Sequence, residues 1–505
     1  MQDLTPNKGR SRKKDAPGRS RKKQSSGAAG KVLICFWAAF VICALIYMAV
    51  KPYGGPEAVY EVLTGQISPE EFLAGAANRE SVSAAENPAE SSAAEPETTT
   101  LSAEELERIR LEEESRRAEE ESLRAEEESR KAEEEAAARR EAEYQALLEQ
   151  GYHPITQADP EHITLRFAGD ILFDPSYAVM ASLLQRSGGG YPDLAGSGFD
   201  SAMVSFMRGA DIFMLNNEFP YSSRGTPLAG KKFTFRARPE YASLMKDIGA
   251  DLVGVANNHV NDYGRDAMLD TFSTLENISM PFCGAGKNIE EASRPVFFTN
   301  KDVKIAIIAA TQIERMGNPD TVGATDSSPG VFRCLYDMDR LTAKIRECRA
   351  AGCFTIVFIH WGTEGTEHID DWQLKQGKQI AEAGADVIVG AHPHILQRLD
   401  WLDGTESAPD KNGQPKKVPV IYSLGNYLFN SKTLDTGLYE LTLNAHDGSL
   451  ENIRFIPAVQ SGCRTRYADP AGSEGQRILK HLREMSPHVD IRDDGSIVLP
   501  DTSTD

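Results

Sequence analysis

His392 and His394 stand two residues apart in "VIVGAHPHILQ", directly after an apolar run, in a chain of 505 residues with ten histidines. Four other apolar runs close in side chains of the same kind. "FAGD" ends in Asp170, "MLNNEFP" carries Asn216 and Glu218, "VANNH" ends in Asn257, Asn258 and His259, and "VFIHWGTE" has His360 and Glu364. Carboxylate, carboxamide and imidazole, with no paired thiolates, are ligands of divalent manganese, zinc or iron, and a carboxylate can bridge two ions. Taken singly, each residue has a structural explanation: Asp and Asn after a strand are ordinary turn residues, and a lone His is usually just hydrogen-bonded. Five runs ending this way together point to one shared divalent-metal site.

Those residues meet only if the runs are strands of α/β sheet, whose carboxyl ends form a ligand-binding rim. "ITLRFAGD", "DIFMLNNE", "DLVGVANNH", "VKIAIIAA", "FTIVFIHWG", "DVIVGAHPH" and "VPVIYSLGN" read as strands, and amphipathic stretches such as "RDAMLDTFSTLEN" and "DMDRLTAKIRECRAAG" lie between several of them. The alternation predicts an α/β architecture with strands buried on both faces. One catalytic domain over about 160–465 fits the count. The tail, 466–505, offers one helix, "EGQRILKHLREM", and one short strand, "SIVLP", expected to pack on the domain's edge.

The formal net charge of −20 hides segments of opposite sign. Residues 1–31 carry ten Lys or Arg against Asp3 and Asp15. After Lys31 come nineteen residues without a charge, 32–50, closed by Lys51. That run is long enough to cross a bilayer, and the basic cluster before it keeps the first thirty residues cytoplasmic and exports the rest. A cleaved signal peptide is the competing reading, but "YMAVKPYGG" makes a poor cleavage site, so an uncleaved single-pass anchor in the cell membrane is favoured. Nucleic-acid binding by the basic tail is not favoured, because a soluble arm would not need the adjoining apolar span.

Residues 51–101 drift into "SAAENPAESSAAEPETTT", the composition of a disordered linker. Over 102–150 the heptads "LEEESRR", "AEEESLR", "AEEESRK" and "AEEEAAA" follow one another. Ser102 and Glu105 suit a capping box and Gly151 a helix stop. Glu112 with Arg116 and Glu120 with Arg124 are among the i,i+4 pairs that favour helix. Each heptad offers mainly one apolar position, as at Leu111 or Ala118, and a coiled coil needs two. A single charged helix acting as a spacer of about 70 Å is the reading, with a weak coiled-coil oligomer as its alternative. Of the seven cysteines, Cys35 and Cys43 fall in the apolar span, and the spacing of the other five shows no disulfide framework.

Six motifs in order, "FAGD", "NNEFP", "KKFTFRARPEYASLMKDIGADLVGVANNHVNDYG", "FIHWGTE", "GADVIVGAHPHILQ" and "YSLGNYLFN", closely resemble the CapA family of poly-gamma-glutamate capsule synthesis proteins. That family lies in the calcineurin-like metallophosphoesterase superfamily. The resemblance covers about residues 163–460 and implies a two-sheet αββα sandwich around two metal ions. It implies Asp170 and His394 on one ion, Asn258, His360 and His392 on the other, Glu218 bridging them, and His259 as the general acid. Each ring of the His392/His394 pair then serves a different ion. One departure stands out: the superfamily's first motif usually has His two residues after the Asp, and here that position is Leu172.

A binuclear centre of this type is suited to hydrolysis of a phosphoester, whereas the family's association is with poly-gamma-glutamate, whose links are amides. Two functions are therefore carried forward. One is an anchored, metal-dependent hydrolase acting on cell-envelope material. The other is a non-catalytic component that binds or exports an anionic polymer, working with capsule-synthesis proteins. Residues 151–505 hold 34 Lys or Arg against 46 Asp or Glu, so a polyanion needs a local basic patch. "GKKFTFRARPE" offers Lys231, Lys232, Arg236 and Arg238, alternating as in a strand, with Asn257 also assigned to the substrate side; a solvated hairpin explains the same pattern equally well.

Overall fold

The computed structural model describes residues 102–313, 321–335, 338–405 and 415–500. The expected basic tail (1–31), anchor (32–50) and linker (51–101) lie outside the described residues. Among the described residues no helix is long and apolar enough to cross a membrane. By internal contacts the chain divides into Met1–Glu113 and Glu114–Asp505.

Helix α1, Ala103–Glu149, runs through the charged heptads and buries none of its residues. The expected capping box is formed, with the Ser102 backbone N–H donating to Glu105 Oε2 (2.9 Å) and the Glu105 N–H to Ser102 Oγ (3.3 Å). At the other end Gly151 takes φ +95°, and the Tyr152 N–H returns to the Leu147 carbonyl, the left-handed stop that glycine allows. Ion pairs along α1 include Arg116 with Glu120 and Arg139 with Glu143, each basic residue reaching one turn toward the C-terminus. Leu106, Leu111 and Leu123 remain more than half exposed, as one apolar position per heptad dictates.

All seven expected strands form: β1 (His162–Ile171), β2 (Ile212–Asn217), β3 (Leu252–Gly254), β4 (Lys304–Thr311), β5 (Cys353–His360), β6 (Val387–Ala391) and β7 (Lys417–Ile421). They separate into two mixed sheets. In a seven-stranded sheet β4, β5, β6 and β7 run parallel in that order. A nine-stranded sheet holds β1, β2 and β3, also parallel, and continues past β1 into an antiparallel hairpin, β8 (Leu434–Asn444) and β9 (Leu450–Ser461). That hairpin escapes a period-two reading because both faces are covered along its middle, so Gly437, Leu438, Tyr439, Glu440 and Leu441 are buried in succession.

Alternation within β5 shows how the layers form. Phe354, Ile356 and Phe358 join Phe167, Met214 and Tyr439 in a core shared by the two sheets. Cys353, Val357 and Ile359 point the other way, into a cluster with Leu341 and Ile345 of α4 (Asp339–Ala350) and Ile380 of α5 (Asp371–Ala383) once the helices are counted from α2 (Ser201–Arg208) and α3 (Arg265–Asn277). Met203 of α2 and Phe272 of α3 cover the outer face of the nine-stranded sheet. The result is helix, sheet, sheet, helix, as the resemblance implies.

The globular part is wider than 160–465. His153–Pro154 pairs at the edge of the seven-stranded sheet, Ser496–Ile497 pairs with β9, and α6 (Ser473–Met485) buries Ile478, Leu479 and Leu482 in the shared core. Cys283, Cys348, Cys353 and Cys463 are buried thiols.

At the start of β3, burial pushes the Asp251 carboxyl up from 3.8 to about 6, against the Phe213 N–H that it accepts and with the help of Asp211. The folded state therefore holds this proton more tightly than the unfolded chain, and stability falls as pH rises from about 4 through about 6. Asp251→Asn is expected to remove that fall and to gain on the order of 2 kcal/mol at pH 7 relative to wild type. Melting both chains at pH 4 and pH 7 checks it; an equal difference between them at the two pH values rejects it.

Candidate metal centre

The carboxyl ends of strands from both sheets converge. β1 delivers Asp170; β2 delivers Asn216 and, just beyond it, Glu218; the turn after β3 delivers Asn257, Asn258 and His259; β5 ends on His360; and the turn after β6 carries His392 and His394. Apart from His394, which is partly buried, every one of these side chains is at most 5% exposed.

Contacts of Asn216, His394 and His360 build the cluster. The Asn216 amide nitrogen lies 2.7 Å from Asp170 Oδ1, 3.4 Å from Glu218 Oε2 and 3.3 Å from His360 Nδ1, tying both carboxylates to the imidazole. His394 Nδ1 sits 3.0 Å from Asp170 Oδ2, with its ring on Phe429. His360 Nε2 is 2.9 Å from Asn258 Oδ1, 3.0 Å from His392 Nδ1 and 3.5 Å from Glu218 Oε1. One ring nitrogen facing three electron-rich atoms can satisfy at most one of them by donating a proton.

His392 and His394 occupy the left-handed region, with φ of 99° and 61°. Such backbone costs about 1–3 kcal/mol per residue and persists where the surrounding structure enforces it. Turning the chain this way around Pro393 brings each of the two imidazoles into a different group of close ligand atoms, both of which include Glu218.

Among the described residues two groups have ligand atoms close enough to hold an ion, Glu218 with His360 and His392, and Asp170 with Glu218 and His394; within each the atoms lie within 4.8 Å of one another. The donor set fits divalent cations on three counts. Glu218 Oε1 is fully buried and accepts no hydrogen bond from any described residue, yet nitrogens of His360, His259 and His394 lie 3.5, 3.8 and 3.9 Å away. Burial, and then the Asp170 charge, hold Glu218 well above the usual carboxylate range, so the anion lacks a compensating charge. Burial and the neighbouring His392 hold His360 well below the usual imidazole value, in the neutral form that ligates.

His259 is set differently. Its Nδ1 is 2.7 Å from Asp262 Oδ2, its ring lies 4.2 Å from that of Phe235, and its Nε2 faces Glu218. Burial lowers its pKa, partly offset by Asp262. Asp262, absent from the sequence-derived site, also accepts from Lys231 Nζ (2.6 Å) and the Phe235 N–H (2.7 Å). The signal for it was the three-residue spacing in "HVND".

The basic segment does not form one array. Its residues lie outside the regular strands, with an isolated bridge between Tyr221 and Ala237. Lys231 is buried, bonded to Asp262 and to the Asn258 carbonyl. Lys232 lies over the Phe233 ring, whereas Arg236 stacks on Tyr263 at 4.1 Å. Arg236 and Arg238 line a cavity of about 270 Å³ with Ser176, Ser222 and Tyr263. Asn257 is internally satisfied: its amide donates to Asn216 Oδ1 and the Asn217 carbonyl, and its Oδ1 accepts from the His259 and Val260 N–H groups. It holds the turn and has no hydrogen-bonding capacity left for a substrate.

Lys231→Met leaves the buried Asp262 carboxylate without its cation and is expected to destabilise the chain by about 3 kcal/mol. A guanidinium midpoint equal to that of wild type would reject this.

The chain is 27% identical over 241 residues to the PGA biosynthesis protein CapA of Bacillus subtilis, covering 47% of this chain and 58% of that one. It is 25% identical over 298 residues to the capsule biosynthesis protein CapA of Bacillus anthracis, covering 57% and 66%. The chain thus spans less than two thirds of the length of either relative. A phosphatase structure from Mycoplasma pneumoniae superposes with a TM-score of 0.35 at 13% identity, over 60% of this chain and 95% of that one. The family model described as bacterial capsule synthesis protein PGA_cap matches residues 164–431, more than half of the chain and every strand end that contributes to the cluster, and the chain belongs to that family.

Proposed function

We propose that the chain is a metal-dependent hydrolase of capsule or cell-envelope polymer synthesis, anchored through residues 32–50 with its globular domain outside the cell. The observation that carries the reading is Glu218 Oε1, buried without a hydrogen bond among three imidazoles. Asp170, Glu218 and His394 would hold one divalent ion, and Glu218, Asn258, His360 and His392 the other. Divalent ions bound there would supply Lewis acidity and lower the pKa of a water. His259 would manage the proton: Asp262 fixes its Nδ1 and favours the charged ring against burial, and from Nε2, which faces Glu218, the imidazolium would give a proton to the leaving oxygen and regain one from solvent. The charge-free run between Lys31 and Lys51 supports the anchor, and the exposed helix α1 supports a spacer of about 70 Å.

The cavity lined by Arg236 and Arg238 favours a second reading, in which the domain holds an anionic chain without cleaving it. Assaying the purified protein on a chromogenic phosphodiester with manganese or zinc, beside His259→Ala, separates the two. Turnover that falls at least about 100-fold in the variant supports hydrolysis. Stoichiometric metal with no ester cleaved by wild type rejects it and leaves polymer handling.

A further inference from the structure

Resting on the metal centre proposed above, one further ligand can be identified. Asp170 has an in-register neighbour on each side within the nine-stranded sheet: Asn216 of β2, and Asn426 of the short strand Asn426–Leu428. Residues paired in register on adjacent strands project to the same face. Asn426, Asp170 and Asn216 therefore form a row along the floor of the site.

The two carboxamides differ in what they have left to offer. Asn216 is satisfied, donating to Asp170 and accepting from Asn257. Asn426 is 2% exposed, and its Oδ1 accepts no hydrogen bond from any described residue. A buried carbonyl oxygen left unpaired costs about 1–3 kcal/mol, so its persistence calls for a partner. Its surroundings name one. The Asn426 N–H bonds the His394 carbonyl at 3.4 Å, and the Asp170 N–H bonds the adjoining Gly425 carbonyl at 3.0 Å, so Asn426 is tied to two residues of the same ion group.

The Asp170, Glu218 and His394 group also lacks a ligand. Leu172, where an imidazole would be expected, is buried among Phe173, Val179 and Leu183 in the apolar cluster and has no donor atom. We propose that Asn426 Oδ1 is the fourth protein ligand of this ion, supplied from the strand paired beside Asp170 in place of a side chain at position 172. A carboxamide oxygen is a hard, neutral donor, and the other ion would receive one as well, from Asn258.

The test is manganese binding to the purified full-length chain, followed by calorimetry and by the paramagnetic resonance of bound manganese. Wild type is expected to bind two ions. Asn426→Ala is expected to keep one at wild-type affinity and to bind the other on the order of 10–100-fold more weakly, while Asn426→Asp restores the second. The metal-free Asn426→Ala chain should melt no lower than wild type, because it loses an unpaired oxygen. Two ions bound at wild-type affinity by Asn426→Ala overturn this assignment and leave the metal centre standing. A low melting temperature not rescued by Asn426→Asp makes the residue structural and overturns it as well. A wild-type chain that binds no divalent ion overturns the centre itself.

Discussion

Glu218→Gln is expected to stabilise the metal-free chain by on the order of 2 kcal/mol, and to abolish the stabilisation that divalent ions confer on wild type. Both effects have one origin. A fully buried carboxylate whose Oε1 meets only imidazole nitrogens carries charge that the protein alone leaves uncompensated. The neutral carboxamide removes that cost, and with it the anion on which two ions would converge, so metal affinity should fall at least about 100-fold. Thermal melts of both chains, with chelator and with manganese, read the two effects together. A variant less stable than wild type in chelator would mean that Glu218 is an ordinary structural residue.

Gly169→Ala should be the most damaging single methyl group in the domain. A Cβ at residue 169 would lie 1.8 Å from the Gly425 carbonyl oxygen, a backbone atom that cannot step aside, and Gly425 itself holds φ +69°. The same carbonyl accepts the Asp170 N–H. Relieving the clash therefore separates β1 from the segment that carries Asn426 and displaces Asp170. We expect a loss of about 4 kcal/mol or more, or failure to fold, with metal binding lost in whatever folds. A chain with wild-type stability would show that the two segments are not in contact.

These two positions also show what was legible in the sequence. The strand ends were, because an apolar run followed by Asp, Asn or His is a local signal, and all seven runs became strands. Their division between two sheets was not: β3 and β5 look alike as buried runs, and only pairing partners separate them. The hairpin β8–β9 lacked alternation because both of its faces are covered. Ligand candidates were visible one by one, and Asp262 through its three-residue spacing from His259, whereas Asn216 matters through His360, 144 residues distant, which no spacing reveals. The basic segment misled for the same reason. Lys231 reads as a surface charge until the buried Asp262 beside it is seen.

Anomalous diffraction from crystals of the protein grown with manganese would reveal whether Glu218 lies between two cation positions. Two peaks about 3.5–4 Å apart are expected, one beside Asp170 and His394 and one beside His360 and His392, with the Glu218 carboxylate touching both. Crystals with no anomalous peak at Glu218, or with manganese bound only at surface carboxylates, would contradict it.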